Sequence, residues 1–145
     1  MTLRDKDVIV GMDVASPDSK LLVISKKGFG KLTDLNRYRR QGRGGSGTIT
    51  LKVTRKTGAV AAGEVIAGSD EVYVVSEQAQ VLRTNLSEIR SVGRATQGVK
   101  IFRPKPGDFV TSIACVRDLT KMREAYGQAD EETPSGKGQR GKNGK

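Results

Sequence analysis

Apolar residues in this chain recur at every second position over short runs, and no long stretch keeps the 3.6-residue period of an amphipathic helix. In Thr48-Ile49-Thr50-Leu51-Lys52-Val53-Thr54 the alternation puts Ile49, Leu51 and Val53 on one face and polar residues on the other. That is the pattern of a half-buried antiparallel strand. The same reasoning predicts strands over Val8–Val14, Leu21–Ser25, Ala59–Ile66, Val72–Ser76, Val81–Thr84, Val99–Arg103 and Phe109–Val116. Turn formers separate them: Ser16-Pro17-Asp18, Lys27-Gly28, Thr57-Gly58, Gly68-Ser69-Asp70 and Pro106-Gly107-Asp108. Several short strands divided in this way predict an all-β fold. From Asp118 the pattern fails. Leu119 to Gln128 fits a frayed helix, and the Gly- and Lys-rich stretch beyond it predicts a disordered tail over 118–145.

The pattern also repeats. Leu21 to Leu51 aligns with Val72 to Phe102 at a constant offset of 51 without a gap. Ser25 falls on Ser76, Thr33 on Thr84, Leu35 on Leu86 and Arg39 on Arg90, and Gly42, Arg43 and Gly47 fall on Gly93, Arg94 and Gly98. A period of about 50 residues points to a solenoid or propeller unit. One such unit buries its apolar face poorly and must stack on another. Asp7 to Val14 resembles Gly58 to Val65 and Asp108 to Cys115, each read as the closing strand of a unit. The expected organisation is therefore two units over about 15–66 and 67–117, preceded by the closing strand 7–14 of another unit, in one region 1–117 followed by the tail. Two units are too few to close a ring of four to eight blades.

Charge sharpens this picture. Lys and Arg number 26 against 16 Asp and Glu, a net charge of +10 in 145 residues. Between Lys26 and Arg43 seven basic residues face one acidic residue, so +6 of that charge is gathered in a short stretch. Such a cluster favours a binding stripe for a polyanion, most simply nucleic acid. The chain has no histidine, which removes the usual general base and the Ser-His-Asp arrangement. No metal-ligand spacing or acidic cluster supports an independent enzyme. The single cysteine, Cys115, permits no intrachain disulfide, reads as a small buried hydrophobe and fits a cytosolic setting. No run reaches the roughly 18 apolar residues of a membrane helix. With no tryptophan and 4% aromatic residues, base stacking is poorly supplied and phosphate contacts should dominate.

Gly42-Arg43-Gly44-Gly45-Ser46-Gly47 matches G-x-G-x-x-G literally, but a dinucleotide site needs a strand before it and a helix after it. Here a basic run precedes it and an alternating strand follows. Geometry accounts better for Gly42, Gly44, Gly45 and Gly47. They let the chain turn at positive φ and, beside Arg39, Arg40 and Arg43, bring backbone N–H groups close to phosphate. The second unit repeats this with Gly93, Gly98, Arg90 and Arg94. Tyr38 lacks the acidic neighbours of a nucleophile and aligns with Ile89, so it is expected to pack under the loop.

Lys27-Gly28-Phe29-Gly30-Lys31, then Arg37-Tyr38-Arg39-Arg40-Gln41-Gly42-Arg43-Gly44-Gly45-Ser46-Gly47, then Val92-Gly93-Arg94-Ala95-Thr96-Gln97-Gly98-Val99-Lys100 resemble the C-terminal domain of the DNA gyrase A subunit over about residues 5 to 117. The resemblance implies a propeller-like β-pinwheel of four-stranded blades, of which this chain would hold the last two as a partial ring. It implies duplex DNA as partner, wrapped without sequence preference on a basic outer rim and contributing to negative supercoiling. It further implies, as partners, the remaining blades and catalytic region of the gyrase A subunit, together with the gyrase B subunit, in a bacterial cytoplasm at the nucleoid. Cleavage and ATP hydrolysis belong to other parts of that enzyme, so no catalytic residue, cofactor, metal, membrane or small-molecule substrate is expected here. Candidate DNA contacts are Lys27, Lys31, Arg39, Arg40 and Arg43 on the first unit and Arg83, Arg90 and Arg94 on the second. One departure is clear: the family's first-blade box reads roughly Q-R-R-G-G-K-G, where Gln41 to Gly47 places Gly42 and Ser46 at two basic positions. The alternatives are the corresponding domain of the topoisomerase IV A subunit, and an assembly module whose blades pair with other blades without binding DNA.

Overall fold

The computed structural model describes residues 3–66 and 71–116. The described chain is all-β apart from two single turns of 3₁₀ helix, Leu35–Arg37 and Leu86–Glu88. In chain order the strands are β1 (Lys20–Ser25), β2 (Phe29–Asp34), β3 (Val60–Ile66), β4 (Glu71–Ser76), β5 (Val81–Asn85), β6 (Val99–Lys100) and β7 (Val110–Val116). They form two antiparallel sheets, ordered β3-β1-β2-β6 and β5-β4-β7.

The repeat seen in the sequence is a repeat of backbone. Both sheets shift register at the same place, between Ile24 and Ser25 and between Val75 and Ser76. The recurring serine explains the hairpins. Ser25 accepts the Gly28 N–H on its carbonyl at 2.9 Å and the Phe29 N–H on its Oγ at 3.1 Å. Ser76 does the same for Ala79 at 3.0 Å and Gln80 at 3.1 Å. Gly28 and Ala79 both hold the positive φ that this turn requires, +78° and +59°. Each outer strand then runs into its 3₁₀ turn at the matching leucine, Leu35 or Leu86.

One apolar core spans both units. Leu22, Ile24, Leu32 and Ala62 of the first sheet pack with Val72, Val74, Leu86, Ile89, Phe102 and Val110 of the second unit. Burying a side chain of this size contributes about 1.5–3 kcal/mol, so packing between the units adds to the stability of both. Cys115 lies half-buried against this core, and burial, with Glu64 beside it, pushes its thiol up to about 12.

The fourth strand of the first sheet comes from the second unit. β6 crosses over and pairs with β2, Phe29 opposite Lys100 and Gly30 opposite Val99. Upstream of it the Leu32 N–H donates to the Arg90 carbonyl at 3.1 Å and the Val92 N–H to the Leu32 carbonyl at 2.9 Å. This crossing explains why one predicted strand is absent. Thr48–Thr54 occupies in the first unit the place that 99–105 occupies in the second, but among the described residues no strand runs beside it. Leu51 is buried, while Ile49 and Val53 stay 68% and 57% exposed. Val8–Val14 is likewise irregular and exposed. It still touches the first sheet at one repeated point: Asp13 accepts the Val65 N–H at 3.0 Å, as Glu64 accepts the Cys115 N–H at 3.2 Å. The predicted turn at 68–70 and the tail 118–145 lie outside the described residues.

Candidate nucleic-acid interface

The first arginine loop leaves the 3₁₀ turn at Tyr38, whose hydroxyl bonds to Thr50 Oγ1. Gln41 braces it from within. Its Nε2 donates to Thr48 Oγ1 at 2.8 Å and its Oε1 accepts the Gly47 N–H at 3.3 Å. Gly45 leaves room for that amide, since a Cβ there would stand 2.3 Å from Gln41 Oε1. Gly42 and Gly44 face open space. Arg39, Arg40 and Arg43 are exposed around a shallow cleft of about 310 Å³, and none of them forms an ion pair with a described residue. The loop therefore displays three guanidinium groups with no ion-pair partner among the described residues around accessible backbone, a surface suited to a phosphate.

The second loop is held against the first unit. The Lys52 N–H donates to the Thr96 carbonyl at 3.0 Å, and Thr96 Oγ1 closes the turn onto the Gly93 carbonyl at 2.8 Å. Gly98 has φ +74°, and a Cβ on it would stand 2.5 Å from the Gly30 carbonyl, so this glycine is required by close approach of two backbones. Arg94 stacks over the Tyr38 ring at 5.7 Å, which brings the two loops side by side.

The eight predicted contact residues separate under this geometry. Arg39, Arg40, Arg43 and Arg90 are exposed, and Lys27 is exposed while its Nζ donates to the Arg55 carbonyl at 2.5 Å. Arg94 is half-buried on Tyr38. Arg83 is exposed but held bidentate by Glu71, at 2.9 and 2.6 Å. Lys31 is a correction. It has no exposed surface, and its ammonium donates to the Gly93 carbonyl at 2.6 Å, to the Arg94 carbonyl and to Thr96 Oγ1 at 3.0 Å. Burial lowers its pKa from 10.5 to about 8. It is a strut between units and cannot touch DNA. The aligned position in the second unit is Leu82, and that apolar counterpart was the available signal.

A second cationic cluster has no signature in the sequence. The Lys100 ammonium lies 4.4 Å and that of Lys56 5.6 Å from the centre of the Phe29 ring, and Lys100 Nζ donates to the Lys27 carbonyl at 2.7 Å. Burial and the charges of Arg103, Lys27 and Lys56 all lower the pKa of Lys100. No ion pair between described residues includes any of these four. They are scattered from 27 to 103 in sequence, and only the β6 crossing assembles them.

The family model described as DNA gyrase C-terminal domain, beta-propeller, matches residues 19–66 and 70–117. The chain belongs to that family. The DNA gyrase A subunit of Mycolicibacterium smegmatis is 31% identical over 133 residues, covering 92% of this chain and 16% of that protein. Its Staphylococcus aureus counterpart is 35% identical over 120 residues, covering 81% and 14%. The chain thus spans about a sixth of the length of the curated relatives it matches. Among solved structures, a DNA gyrase A C-terminal domain superposes with TM-score 0.63 at 24% identity, covering 67% of this chain and 33% of that one. The C-terminal domain of a DNA topoisomerase IV superposes with TM-score 0.73 at 21% identity, covering 90% and 42%. These likenesses establish a propeller-type fold of the gyrase C-terminal family. No helix among the described residues is long and apolar enough to cross a membrane.

Proposed function

We propose that this chain binds duplex DNA through its phosphate backbone and, as part of a gyrase A subunit, helps to bend or wrap it. The reading rests on one observation: two groups of cations, at Arg39, Arg40 and Arg43 and at Lys27, Lys56, Lys100 and Arg103, stand close together without carboxylate partners among the described residues. Like charges gathered in this way oppose folding and are relieved by a polyanion. The second group gathers at the Phe29 end of β2, where Lys100 meets Phe29, and Arg90 lies further along the same edge, where it meets Leu32. Those two points are about 10 Å apart at strand rise, within the reach of neighbouring phosphates. In the full enzyme such contacts would contribute to supercoiling, together with the rest of the gyrase A subunit, and with the gyrase B subunit.

The test is duplex-DNA affinity over a salt series. Log affinity should fall linearly with log salt. Replacing Arg39, Arg40 and Arg43 by Gln should weaken binding to all sequences alike and flatten the slope by about 0.9 for each phosphate no longer neutralised. A change in sequence discrimination, or an unchanged slope, would remove these arginines from the phosphate contacts.

A further inference from the structure

Two arginines of the second unit are held in opposite ways, and the difference decides which of them can meet an anion. Arg83 is gripped by Glu71, whose carboxylate accepts its Nε and Nη2 hydrogens at 2.9 and 2.6 Å and offsets its charge. Arg94 is held by its flat face instead. Its guanidinium carbon lies 5.7 Å from the centre of the Tyr38 ring, and it forms no ion pair with a described residue. A ring engages the face of a guanidinium and leaves the N–H groups of its edge for an anion, and that edge is the part that matches a phosphate.

Both sides of this contact are fixed. Lys31 holds the Gly93 and Arg94 carbonyls from the core. Thr96 closes the same turn, and its carbonyl accepts the Lys52 N–H at 3.0 Å. On the side of the ring, the Tyr38 N–H donates to the Leu35 carbonyl at 3.0 Å and the hydroxyl bonds to Thr50 Oγ1. Ring and loop are thus tied to one short stretch, 50–52, of the first unit. The exposed Arg39 and Arg40 follow the ring directly in the chain. The repeat breaks at this position. The second unit carries Ile89 there, buried in the core. Isoleucine meets the need for packing, and a ring adds what isoleucine lacks, a face for a cation.

We infer that Tyr38 is a positioning residue for DNA: it aims Arg94 of the second loop at the phosphate backbone beside Arg39 and Arg40 of the first, so that the two loops bind as one site across the junction between units. The role rests on the phosphate contacts proposed above. Tyr38 itself touches no phosphate. It holds Arg94 in one orientation before DNA arrives, so that this side chain loses less freedom on binding.

Affinity of the full chain for duplex DNA over a salt series, arranged as a double-mutant cycle, tests this. Tyr38→Ile introduces the residue that the second unit carries. It should weaken binding about two- to ten-fold, the cost of immobilising one long side chain. The log–log salt slope should stay as it is, because Arg94 keeps its charge and its phosphate. Arg94→Gln should weaken binding and flatten the slope by about 0.9. In the Arg94→Gln background Tyr38→Ile should have no further effect. Tyr38→Phe, which keeps the face and loses only the bond to Thr50, should bind nearly as the wild type does. A loss on Tyr38→Ile that persists in the Arg94→Gln background would overturn the inference, because Tyr38 would then act on the fold of the loop and not through Arg94. Arg94→Gln with wild-type affinity and slope would overturn it too, as would Tyr38→Phe binding as weakly as Tyr38→Ile. None of these results bears on the contacts of the first loop, which fall if replacing Arg39, Arg40 and Arg43 by Gln leaves affinity and slope unchanged. Should Tyr38→Ile melt early, Tyr38→Leu carries the same outcomes.

Discussion

The ammonium of Lys31 sits among acceptors 62 to 65 residues away in sequence, so its role depends on partners that no local pattern announces. A lysine in a basic stretch reads as part of the rim, and only its alignment with Leu82 argues otherwise. The pH dependence follows from its lowered pKa. The folded chain releases this proton near pH 8, while the unfolded chain holds it to about 10.4. Between those values the unfolded state binds more protons, so this group makes stability rise with pH. Lys31→Met should abolish that part of the rise, seen as a smaller difference between urea midpoints at pH 7 and pH 9.5 than in the wild type. It should also free the loop. Charged hydrogen bonds contribute about 1.5–3 kcal/mol, so amide exchange over 93–98 should quicken roughly ten- to a hundred-fold while β1 stays protected. Equal loosening of β1 would mean that Lys31 supports the whole core and not the loop. Tyr38 was more legible. Its counterpart Ile89 is buried, and Tyr38 packs between the loops under Arg94.

At the scale of elements, the hairpins and the closing strands β3 and β7 were readable because the same pattern occurs twice, whereas the 3₁₀ turns and the irregular course of 8–14 were not. Ser25 and Ser76 fix the turn, and alternation fixes which face of β4 is buried, at Val72, Val74 and Ser76. Pairing across units was not readable. Alternation in Thr48–Thr54 reports a face that needs cover, but not which strand supplies it, and the crossing of β6 is a matter of topology. The crossing makes glycine roles unequal in two turns of the same shape. Gly28→Ala should lift β6 from β2 and cost at least about 2 kcal/mol, from left-handed strain and the clash with Phe102 together. Ala79→Gly, at a similar positive φ with no strand above it among the described residues, should change stability by no more than about 0.5 kcal/mol. Phe102→Ala, which removes the buried anchor of the crossing, should cost about 3–5 kcal/mol. Urea titrations of the three proteins rank these effects. A Gly28→Ala variant as stable as Ala79→Gly would show that β6 yields at no cost.

For the molecule as a whole, charge is set against stability. Lys27, Lys56, Lys100 and Arg103 crowd one end of the crossing, and the lowered pKa of Lys100 means that the fold disfavours its charge. A site tuned for folding alone would not gather cations in this way, whereas a site that meets a polyanion gains from each of them. Stability and binding should therefore respond to Lys100→Met with opposite signs. The unbound variant should be more stable than the wild type at low salt, and the gain should shrink as salt screens the repulsion. Its affinity for duplex DNA should fall, with the log–log salt slope flattened by about 0.9. Denaturant midpoints and DNA affinities measured on the same preparations at two ionic strengths decide the matter. If Lys100→Met lowers stability and leaves affinity unchanged, stacking on Phe29 is the whole role of Lys100 and the cluster is a structural feature of the crossing. If stability rises and affinity falls, the crossing that closes the first sheet also builds a phosphate contact that neither unit could form alone.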